Sequence, residues 1–385
     1  MSDASAHTVQ PRLRRLRARI ASICFAAVLV APAITIAQQA PRPTFVSPEV
    51  MSDSRVTFNL WAPRATEVLL SGSWMGPQPA PPLVKNADGV WTITVGPLEP
   101  DIYAYAFIID GVRADDPVCR CSFIAAERFA SSRLVIPAPT PQAWSERTVP
   151  KGTLRHEVLS AAGGPTRRVV VYTPPGYDQA TSVRYPVLML LSGTPGTETD
   201  WTSGGGFAEI IFDNLIADGV MQPMIVVMHA SDVLRNGRRA DNLREIEPII
   251  TRLLVPEIRN RFRVRPDPKS WALAGLSLGG EYALAVGLRH PEFFRNVVSI
   301  SGSLVPPDFE DRFGAALANA DRVRRDYKLI WLGSGTEDTF YDGAKVLASR
   351  FAAAKIPHQF FELPGPHIMP VFRRELIEVL PKLFR

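Results

Sequence analysis

The stretch that decides the fold of this 385-residue chain is Trp271-Ala-Leu-Ala-Gly275-Leu-Ser277-Leu-Gly279-Gly-Glu281-Tyr-Ala-Leu-Ala-Val-Gly-Leu-Arg289. Its apolar start is typical of a strand buried on both faces, and the run from Glu281 onward has the spacing of a helix. Between them lies a Gly-x-Ser-x-Gly pattern, whose glycines permit a sharp strand-to-helix turn that exposes the serine hydroxyl. The stretch therefore predicts Ser277 as a nucleophile. The alternative is a glycine-rich helix start with a capping serine.

The same alternation of strand and helix extends outward on both sides. Further apolar runs that suit buried strands are Val187–Leu191, Met224–Met228, Val297–Ile300 and Leu329–Leu332. Helical spacing is found in residues 207–217, 246–262, 281–289 and 341–354. Residues 151–385 are therefore predicted to form a doubly wound, mostly parallel α/β domain.

The partners of such a serine follow it in the chain, each after a late strand. Of the histidines after Ser277, His290 lies at a helix end and His358 at the head of a strand, where structural roles are expected. His367 follows the predicted strand Gln359–Leu363 and a Pro-Gly-Pro turn, which places it at the same sheet edge as Ser277. We predict His367 as the general base. For the acid, Glu337 and Asp338 both follow the strand that ends near Leu332, and position alone does not separate them.

Residues 43–137 have a different pattern, with period two. Val56, Phe58 and Leu60 alternate with polar or small residues, and turn signals recur at short intervals. This predicts a small β-sandwich of antiparallel strands. Aromatic residues such as Trp74, Trp91 and Tyr103 either stack on sugar rings or, as is more usual in a small sandwich, form its core. A proline-rich linker, 138–150, joins the two domains and should hold the sandwich against the catalytic domain, beside the active-site mouth.

The first 37 residues have the order of a secretory signal. Five arginines precede an apolar run, Ile20 to Ala37, which ends in small residues with Thr35 and Ala37 at the −3 and −1 positions. A membrane anchor is the alternative, but Pro32 within the apolar run and the small residues at its end favour cleavage by a signal peptidase. We predict a mature protein that begins near Gln38 and is periplasmic or secreted.

Composition and charge narrow the class of protein. The chain is 46% hydrophobic and 21% charged, as in packed globular proteins. Most of its net charge of +5 lies in the leader, so the remainder is nearly neutral, which argues against nucleic acid as a partner. Cys119 and Cys121 form either a strained disulfide or two free thiols. A metal site is disfavoured because no histidine or second cysteine pair accompanies them, and no metal or cofactor is expected.

The catalytic-domain motifs carry a family resemblance. Tyr185-Pro-Val-Leu-Met-Leu-Leu-Ser-Gly-Thr194, Thr199-Asp-Trp201, Ala274-Gly-Leu-Ser-Leu-Gly-Gly280, Gly335-Thr-Glu-Asp338 and Pro364-Gly-Pro-His-Ile368 resemble esterase D and carbohydrate esterase family one. That group includes feruloyl, acetylxylan and enterochelin-esterase-like proteins. The resemblance implies an α/β-hydrolase fold, Asp338 as the acid, and an oxyanion hole made by the N–H groups of Leu278 and Thr194. Many members have His-Gly where this chain has Ser192-Gly193.

The N-terminal motifs carry a second resemblance. Thr57-Phe-Asn-Leu-Trp-Ala-Pro63, Leu70-Ser-Gly-Ser-Trp74 and Tyr103-Ala-Tyr-Ala-Phe-Ile-Ile-Asp-Gly111 are similar to the immunoglobulin-like modules of isoamylases and glycogen-branching enzymes. Together the two resemblances imply a serine esterase acting on acetyl or feruloyl groups esterified to carbohydrate, and the leader adds that it is exported. No membrane partner is expected once the leader is cleaved, and the oligomeric state is left open. The alternatives are an enterochelin-type siderophore esterase, an acyltransferase using the same acyl-enzyme, and a non-catalytic carbohydrate-binding protein.

Overall fold

The computed structural model describes residues 43–385, apart from Pro77, Arg120, 125–129, 161–165, Gly204 and 235–237. The predicted leader lies outside these residues. The described residues all belong to one compact unit, Pro43–Arg385, which contains both domains. Within this part of the chain, no helix combines the length and apolar character needed to span a membrane.

The N-terminal module consists of two antiparallel sheets. In the described residues, one sheet has the strand order β1-β2-β5-β4 and the other has the order β3-β6-β9-β8, with β7 paired to β6. The strands are β1 (Glu49–Val50), β2 (Val56–Trp61), β3 (Val68–Gly72), β4 (Val84–Lys85), β5 (Val90–Val95), β6 (Asp101–Ile109), β7 (Val112–Ala114), β8 (Ser122–Ile124) and β9 (Ala130–Ile136). This confirms the predicted all-β sandwich.

The period-two pattern determines which side chains form the core of the module. Val56, Phe58 and Leu60 are buried, while the residues between them are partly exposed. Trp91 and Tyr103 are also buried, and the ring of Trp74 stacks on that of Phe58 at a centroid distance of 5.9 Å. These aromatic residues therefore contribute to core packing, which is the usual role of such residues in a small sandwich.

The two cysteines of the module are joined. The sulfur atoms of Cys119 and Cys121 form a disulfide between α-carbons 5.2 Å apart. Of the two alternatives that the sequence left open, the structure therefore contains the bridged form. The bridge closes a very short loop between β7 and β8.

The catalytic domain is built on one large sheet with the strand order β10-β11-β13-β12-β14-β15-β16-β17. The strands are β10 (Thr153–Leu159), β11 (Arg167–Thr173), β12 (Val187–Leu191), β13 (Ile225–His229), β14 (Trp271–Leu276), β15 (Asn296–Ile300), β16 (Leu329–Gly335) and β17 (Gln359–Leu363). The six strands from β12 to β17 are parallel, whereas β10 and β11 are antiparallel at one edge. The predicted mostly parallel sheet is confirmed, and the antiparallel pair β10 and β11 at one side is an addition.

Helices cover both faces of this sheet. They are α1 (Ala208–Ala217), α2 (Arg239–Pro248), α3 (Val255–Arg261), α4 (Leu278–Arg289), α5 (Phe309–Ala318), α6 (Ala320–Asp326), α7 (Tyr341–Ala353) and α8 (Met369–Val379). Short 3₁₀ turns occur at Pro268–Ser270, Pro306–Asp308 and Leu380–Lys382. The helix predicted over 246–262 is wrong in its extent, because helical structure begins at Arg239 and contains a π-helical segment, Ile249–Leu254. That segment lies between Pro248 and Pro256, which have no N–H to donate to a regular helix.

Two hydrophobic layers hold the sheet between the helices. Side chains along β12 alternate between them, with Met189 in one layer and Leu188 in the other. The first layer includes apolar residues of α4, and the second includes those of α1 and α8. A sheet packed on both faces is rigid, so the residues that follow its parallel strands are held at one edge.

The predicted linker is docked onto α1. The side-chain amide of Asn214 donates hydrogen bonds to the carbonyl groups of Ala143 and Ser145, each at 2.8 Å. Arg147 makes a two-pronged ion pair with Asp218 at 2.7 and 2.8 Å. The segment therefore follows the surface of the catalytic domain and keeps the sandwich beside it.

Candidate active site

Ser277 lies at the sharp turn between β14 and α4. Its backbone has φ 54° and ψ −123°, in the left-handed region that a serine rarely adopts. A Cβ atom at Gly279 would overlap the carbonyl oxygen of Ser192, and one at Gly275 would overlap the backbone of Gly279. The two glycines are therefore required by close backbone approach, as expected for a serine held in a strained turn.

Three predicted residues meet at this turn. His367 Nε2 lies 3.0 Å from Ser277 Oγ, and His367 Nδ1 lies 2.6 Å from Asp338 Oδ2. The Asp338 side chain is completely buried, whereas Glu337 is exposed. Since a carboxylate only accepts hydrogen bonds, Nδ1 carries the proton and Nε2 is free to accept the serine hydroxyl. The structure thus joins Ser277, His367 and Asp338 in one hydrogen-bonded row, and their catalytic roles stay a prediction.

Packing holds the imidazole in this position. The ring of Phe372 lies 4.8 Å from that of His367, and the ring of Phe340 lies 5.4 Å away, both edge to face. The second carboxylate oxygen of Asp338 accepts the N–H of Phe340 at 2.8 Å. The acid and the base are therefore each fixed by contacts beyond their own hydrogen bond.

The predicted oxyanion donors lie on either side of Ser277. Leu278 is the first residue of α4, so its N–H has no carbonyl one turn earlier to bind. Gly193 is adjacent to the nucleophile, because a Cβ there would lie 3.3 Å from Ser277 Cβ. Thr194 follows it and lines the same cavity as Ser277, with its hydroxyl donating to Asp232 at 3.0 Å. Leu278 and Thr194 thus both lie next to Ser277, and the oxyanion role of their N–H groups stays a prediction.

A cavity of about 380 Å³ opens in front of Ser277 and His367. Both domains line it. The catalytic domain contributes Gly193, Thr194, Pro195, Asp200, Gly205, Phe207, Leu276, Ile368, Met369, Phe372 and Arg373, and the sandwich contributes Ser71, Gly72, Ser73, Gly76, Ile102, Tyr103, Ala104 and Arg113. The sandwich therefore forms one wall of the site.

A buried ion pair fixes that wall. The guanidinium of Arg373, on α8, contacts Asp101 at 2.5 Å and the carbonyl oxygen of Ile102, both at the start of β6. The same group donates to the carbonyl of Gly205 at 2.7 Å. Both charged side chains are at most 1% exposed. Because Arg373 follows Phe372, the helix that supports His367 is also the helix that is tied to the sandwich.

Two further polar groups behind the site were missed by the sequence analysis. Ser303 Oγ lies 3.1 Å from Ser277 Oγ. Glu375, fully buried on α8, accepts the N–H of Ser301 at 2.8 Å and its hydroxyl at 2.6 Å. Burial raises the pKa of Glu375 to about 8. The only signal in the sequence was the serine-rich segment Ser299-Ile-Ser-Gly-Ser303 directly after a buried strand.

The fold and the site together define an α/β hydrolase preceded by a β-sandwich. Residues 160–383 match the protein family described as "Putative esterase", and residues 46–118 match carbohydrate-binding module 48, the isoamylase N-terminal domain. The first match covers more than half of the chain, so the chain belongs to this esterase family. Both resemblances stated from the motifs are thereby confirmed.

Two curated proteins are similar in sequence. An endo-1,4-beta-xylanase/feruloyl esterase of Xylanibacter ruminicola is 33% identical over 270 residues, which is 68% of this chain and 37% of that protein. An uncharacterized protein of Corynebacterium glutamicum is 34% identical over 152 residues, or 38% of this chain and 35% of its own length. The chain thus spans little more than a third of each of these relatives.

Solved structures agree with the fold. A ferulic acid esterase is 25% identical with a TM-score of 0.54, over 61% of this chain and 99% of its own. The enterobactin esterase of Shigella flexneri is 19% identical with a TM-score of 0.66, over 86% of this chain and 93% of its own. The second match is long enough to require both domains of this chain.

Proposed function

We propose that the protein is a serine carboxylic-ester hydrolase that uses Ser277, His367 and Asp338. The observation that carries the proposal is the hydrogen-bonded row of these three side chains at the edge of a cavity. Such a row is what nucleophilic catalysis by serine requires: a base within reach of the hydroxyl, and a carboxylate that orients the base.

The reaction has two halves. Ser277 Oγ attacks the ester carbonyl carbon and its proton passes to His367 Nε2, while the carbonyl π electrons move to the oxygen, which the N–H groups of Leu278 and Thr194 would bind. Collapse of this intermediate breaks the bond to the alcohol, which leaves with the proton from His367. In the second half, water gives its proton to His367 and attacks the acyl-enzyme. The acid is released, and Ser277 Oγ regains a proton.

The proposed substrate is an acetyl or feruloyl group esterified to a carbohydrate. Support comes from the 33% identical xylanase/feruloyl esterase and from the match to carbohydrate-binding module 48. The cavity also offers apolar and aromatic lining, including Phe207, Tyr103 and Met369, beside polar groups of the sandwich. A second candidate substrate, a cyclic siderophore ester, is favoured by the enterobactin esterase, whose likeness extends over both domains.

The test is hydrolysis of a matched panel by the full chain: p-nitrophenyl acetate, an acetylated xylo-oligosaccharide, a feruloylated arabinoxylo-oligosaccharide and a cyclic catechol-serine ester. Ser277→Ala and His367→Ala should each lower kcat by about 10⁴-fold or more. Asp338→Asn should lower it by about 10³- to 10⁴-fold because the imidazole loses its orienting acceptor.

Glu337→Gln is the matched control for the acid. Its side chain is exposed and adjacent in sequence, so kcat should remain within about twofold of wild type. A benign Asp338→Asn together with a damaging Glu337→Gln would refute the assignment. Preference for the cyclic ester over both sugar esters would refute the carbohydrate substrate but not the mechanism. Faster acyl transfer to added sugar than to water would identify an acyltransferase.

We also propose that the protein is exported, on the strength of the arginine-rich start and the apolar run that ends in Thr35-Ile-Ala37. Expression of the full sequence in a bacterium with a signal peptidase should give a mature chain that begins at or near Gln38. Intact-mass measurement of the extracytoplasmic fraction tests this, and a product that retains Met1 or Ser2 would contradict it.

A further inference from the structure

Ser303 is tied to the proposed nucleophile by two hydrogen bonds. Its backbone N–H donates to the carbonyl oxygen of Ser277 at 2.9 Å, and the two hydroxyl oxygens are 3.1 Å apart. Ser303 is only 4% exposed and lies behind Ser277, outside the described residues that line the cavity. It therefore contacts the reacting oxygen without contacting the space where the acyl group would bind.

The direction of the hydroxyl contact follows from counting protons. His367 Nδ1 donates to Asp338, so Nε2 is the acceptor for the single proton of the Ser277 hydroxyl. Ser277 Oγ then has no proton left for Ser303. The hydroxyl of Ser303 must be the donor, and Ser277 Oγ must be the acceptor.

The segment that carries Ser303 is fixed from two sides. On one side, Glu375 binds both the N–H and the hydroxyl of Ser301. On the other, Arg239 donates to the carbonyl oxygen of Ser303 at 2.6 Å and to the buried carboxylate of Glu281 at 2.7 Å. The donor is therefore held in place before any substrate binds, as preorganised catalysis requires.

We propose that Ser303 is a further catalytic residue, whose hydroxyl donates a hydrogen bond to Ser277 Oγ and stabilises the charge that develops there; this rests on the proposed function. As the proton moves to His367, the serine oxygen becomes partly negative before its bond to carbon is complete. A hydrogen bond to it strengthens at that point and stabilises the transition state more than the ground state. The same donor assists departure of Ser277 Oγ during deacylation. Ser303 itself neither gains nor loses a proton.

The test compares Ser303→Ala with Ser299→Ala in the full chain. Ser299 is a buried serine of the same segment whose hydroxyl has no hydrogen-bond partner in the described structure, so it controls for loss of a hydroxyl near the site. The burst of p-nitrophenol from p-nitrophenyl acetate reports acylation, and labelling by a small fluorophosphonate reports the reactivity of Ser277. Ser303→Ala should slow both by about tenfold, with KM and Tm as in the control.

The outcomes separate the two proposals. Acylation by Ser303→Ala within twofold of Ser299→Ala, or a loss that only follows a lower Tm, would overturn the role of Ser303. Wild-type turnover by Ser277→Ala would overturn the proposed function and this role with it. If Ser303→Ala does not fold, Ser303→Thr is compared with Ser303→Val. The two side chains have nearly the same shape, and only threonine has the hydroxyl. The same difference of about tenfold is then expected between them, and equal rates would overturn the proposal.

Discussion

Glu375 is a carboxyl group buried beneath the proposed acid, and it links stability to pH. Burial raises its pKa from 4.5 to about 8, with a further contribution from the negative charge of Asp338, while the hydrogen bonds from Ser301 act in the opposite direction. In the folded protein Glu375 is thus protonated at neutral pH, whereas in the unfolded chain it is ionised. Its contribution to stability is full below pH 4.5 and is lost as the pH rises through 8.

Because the contribution of Glu375 to stability falls as the pH rises, a prediction follows for Glu375→Gln. Glutamine mimics the protonated acid: its oxygen can accept the Ser301 N–H, and its amide can donate to the Ser301 hydroxyl oxygen as the carboxyl O–H does once Glu375 is protonated, whereas the ionised carboxylate accepts both bonds. Between pH 5 and 8, wild type should lose up to about 1.4 kcal/mol per pH unit relative to the variant, measured as the free energy of unfolding in urea. At pH 9 the variant should be the more stable protein.

Glu378→Gln is the control for this experiment, because Glu378 lies on the same helix and makes a partly exposed ion pair with Lys382. Its unfolding free energy should follow wild type across the pH range, within about 0.5 kcal/mol. A pH dependence of Glu375→Gln that coincides with wild type would show that Glu375 is ionised in the folded state.

Among the individual residues of the site, Ser277 and His367 could be predicted from the sequence, because each follows a recognisable strand and turn. Glu337 and Asp338 were separated only by family resemblance, since both precede the same helix and only the structure shows which side chain turns inward. Ser303 and Glu375 could not be predicted. Ser303 reaches Ser277 because the segment after β15 lies beside the turn after β14, and Glu375 reaches Ser301 because α8 packs against the end of β15.

The turn between β14 and α4 is the element on which the site depends. Gly279, the second glycine of this turn, has a helical backbone conformation. A larger residue is therefore excluded by the lack of space for a side chain and not by the backbone angles. We predict that Gly279→Ala destabilises the protein by at least about 2 kcal/mol, because its Cβ would overlap the carbonyl oxygen of Ser192 and displace β12. Urea unfolding measures this change, and the p-nitrophenyl acetate burst should fall with it.

Gly314→Ala is the matched control, since a Cβ at this position in α5 meets only the flexible end of Glu310 at 3.1 Å. Alanine favours a helix over glycine, so this variant should be more stable by about 0.5–1 kcal/mol. Equal effects of the two substitutions would contradict the close approach of α4 to β12.

Among the elements, the buried parallel strands were predictable, because a short and continuous apolar run such as Val187–Leu191 is typical of a strand that is covered on both faces. Strand β11, which lies between the edge strand β10 and β13, contains a similar apolar run but begins with Arg167-Arg168, and nothing local indicated that it would be antiparallel to its neighbours. The extent of α2 and α3 was not predictable either. Proline at 248 and 256 predicts an interruption, but the chain continues through a π-helical segment that packs Ile250 and Leu254 into the core.

The position of the sandwich is the feature of the whole molecule that matters most for the site. The sequence predicted both domains and a stiff linker, but the contact that joins them lies between Asp101 and Arg373, 272 residues apart. Neither residue belongs to a motif, so the sequence predicted the sandwich beside the active-site mouth but not the residues that join the two domains or line the shared cavity. A buried pair of this kind is costly to break, since loss of Asp101 would leave the buried Arg373 without a carboxylate, and loss of Arg373 would leave Asp101 only its longer contact of 3.4 Å with Arg374. The wall formed by the sandwich is therefore a fixed part of the site.

A fixed wall should discriminate among substrates by the size of the alcohol. Ser71 on β3 lines the cavity from the sandwich side, and its hydroxyl accepts a hydrogen bond from Arg113 at 2.9 Å. Ser71→Tyr should fill that side and lower kcat/KM for an acetylated xylo-oligosaccharide, which has the same acyl group as p-nitrophenyl acetate, by about tenfold or more. With p-nitrophenyl acetate, whose small groups bind close to Ser277, the loss should stay within about threefold. Steady-state kinetics on the two substrates gives the ratio directly.

Two controls separate occlusion from other effects of the substitution. Ser71→Ala removes only the hydrogen bond to Arg113 and should leave the ratio of the two kcat/KM values unchanged. Thr94→Tyr introduces the same ring on an exposed position of the other sheet and should behave like wild type with both esters. If Ser71→Tyr slowed both substrates equally, the sandwich would act only by supporting the catalytic domain. A loss confined to the sugar ester would instead mean that the alcohol passes along the sandwich, because that is where the added ring takes up space.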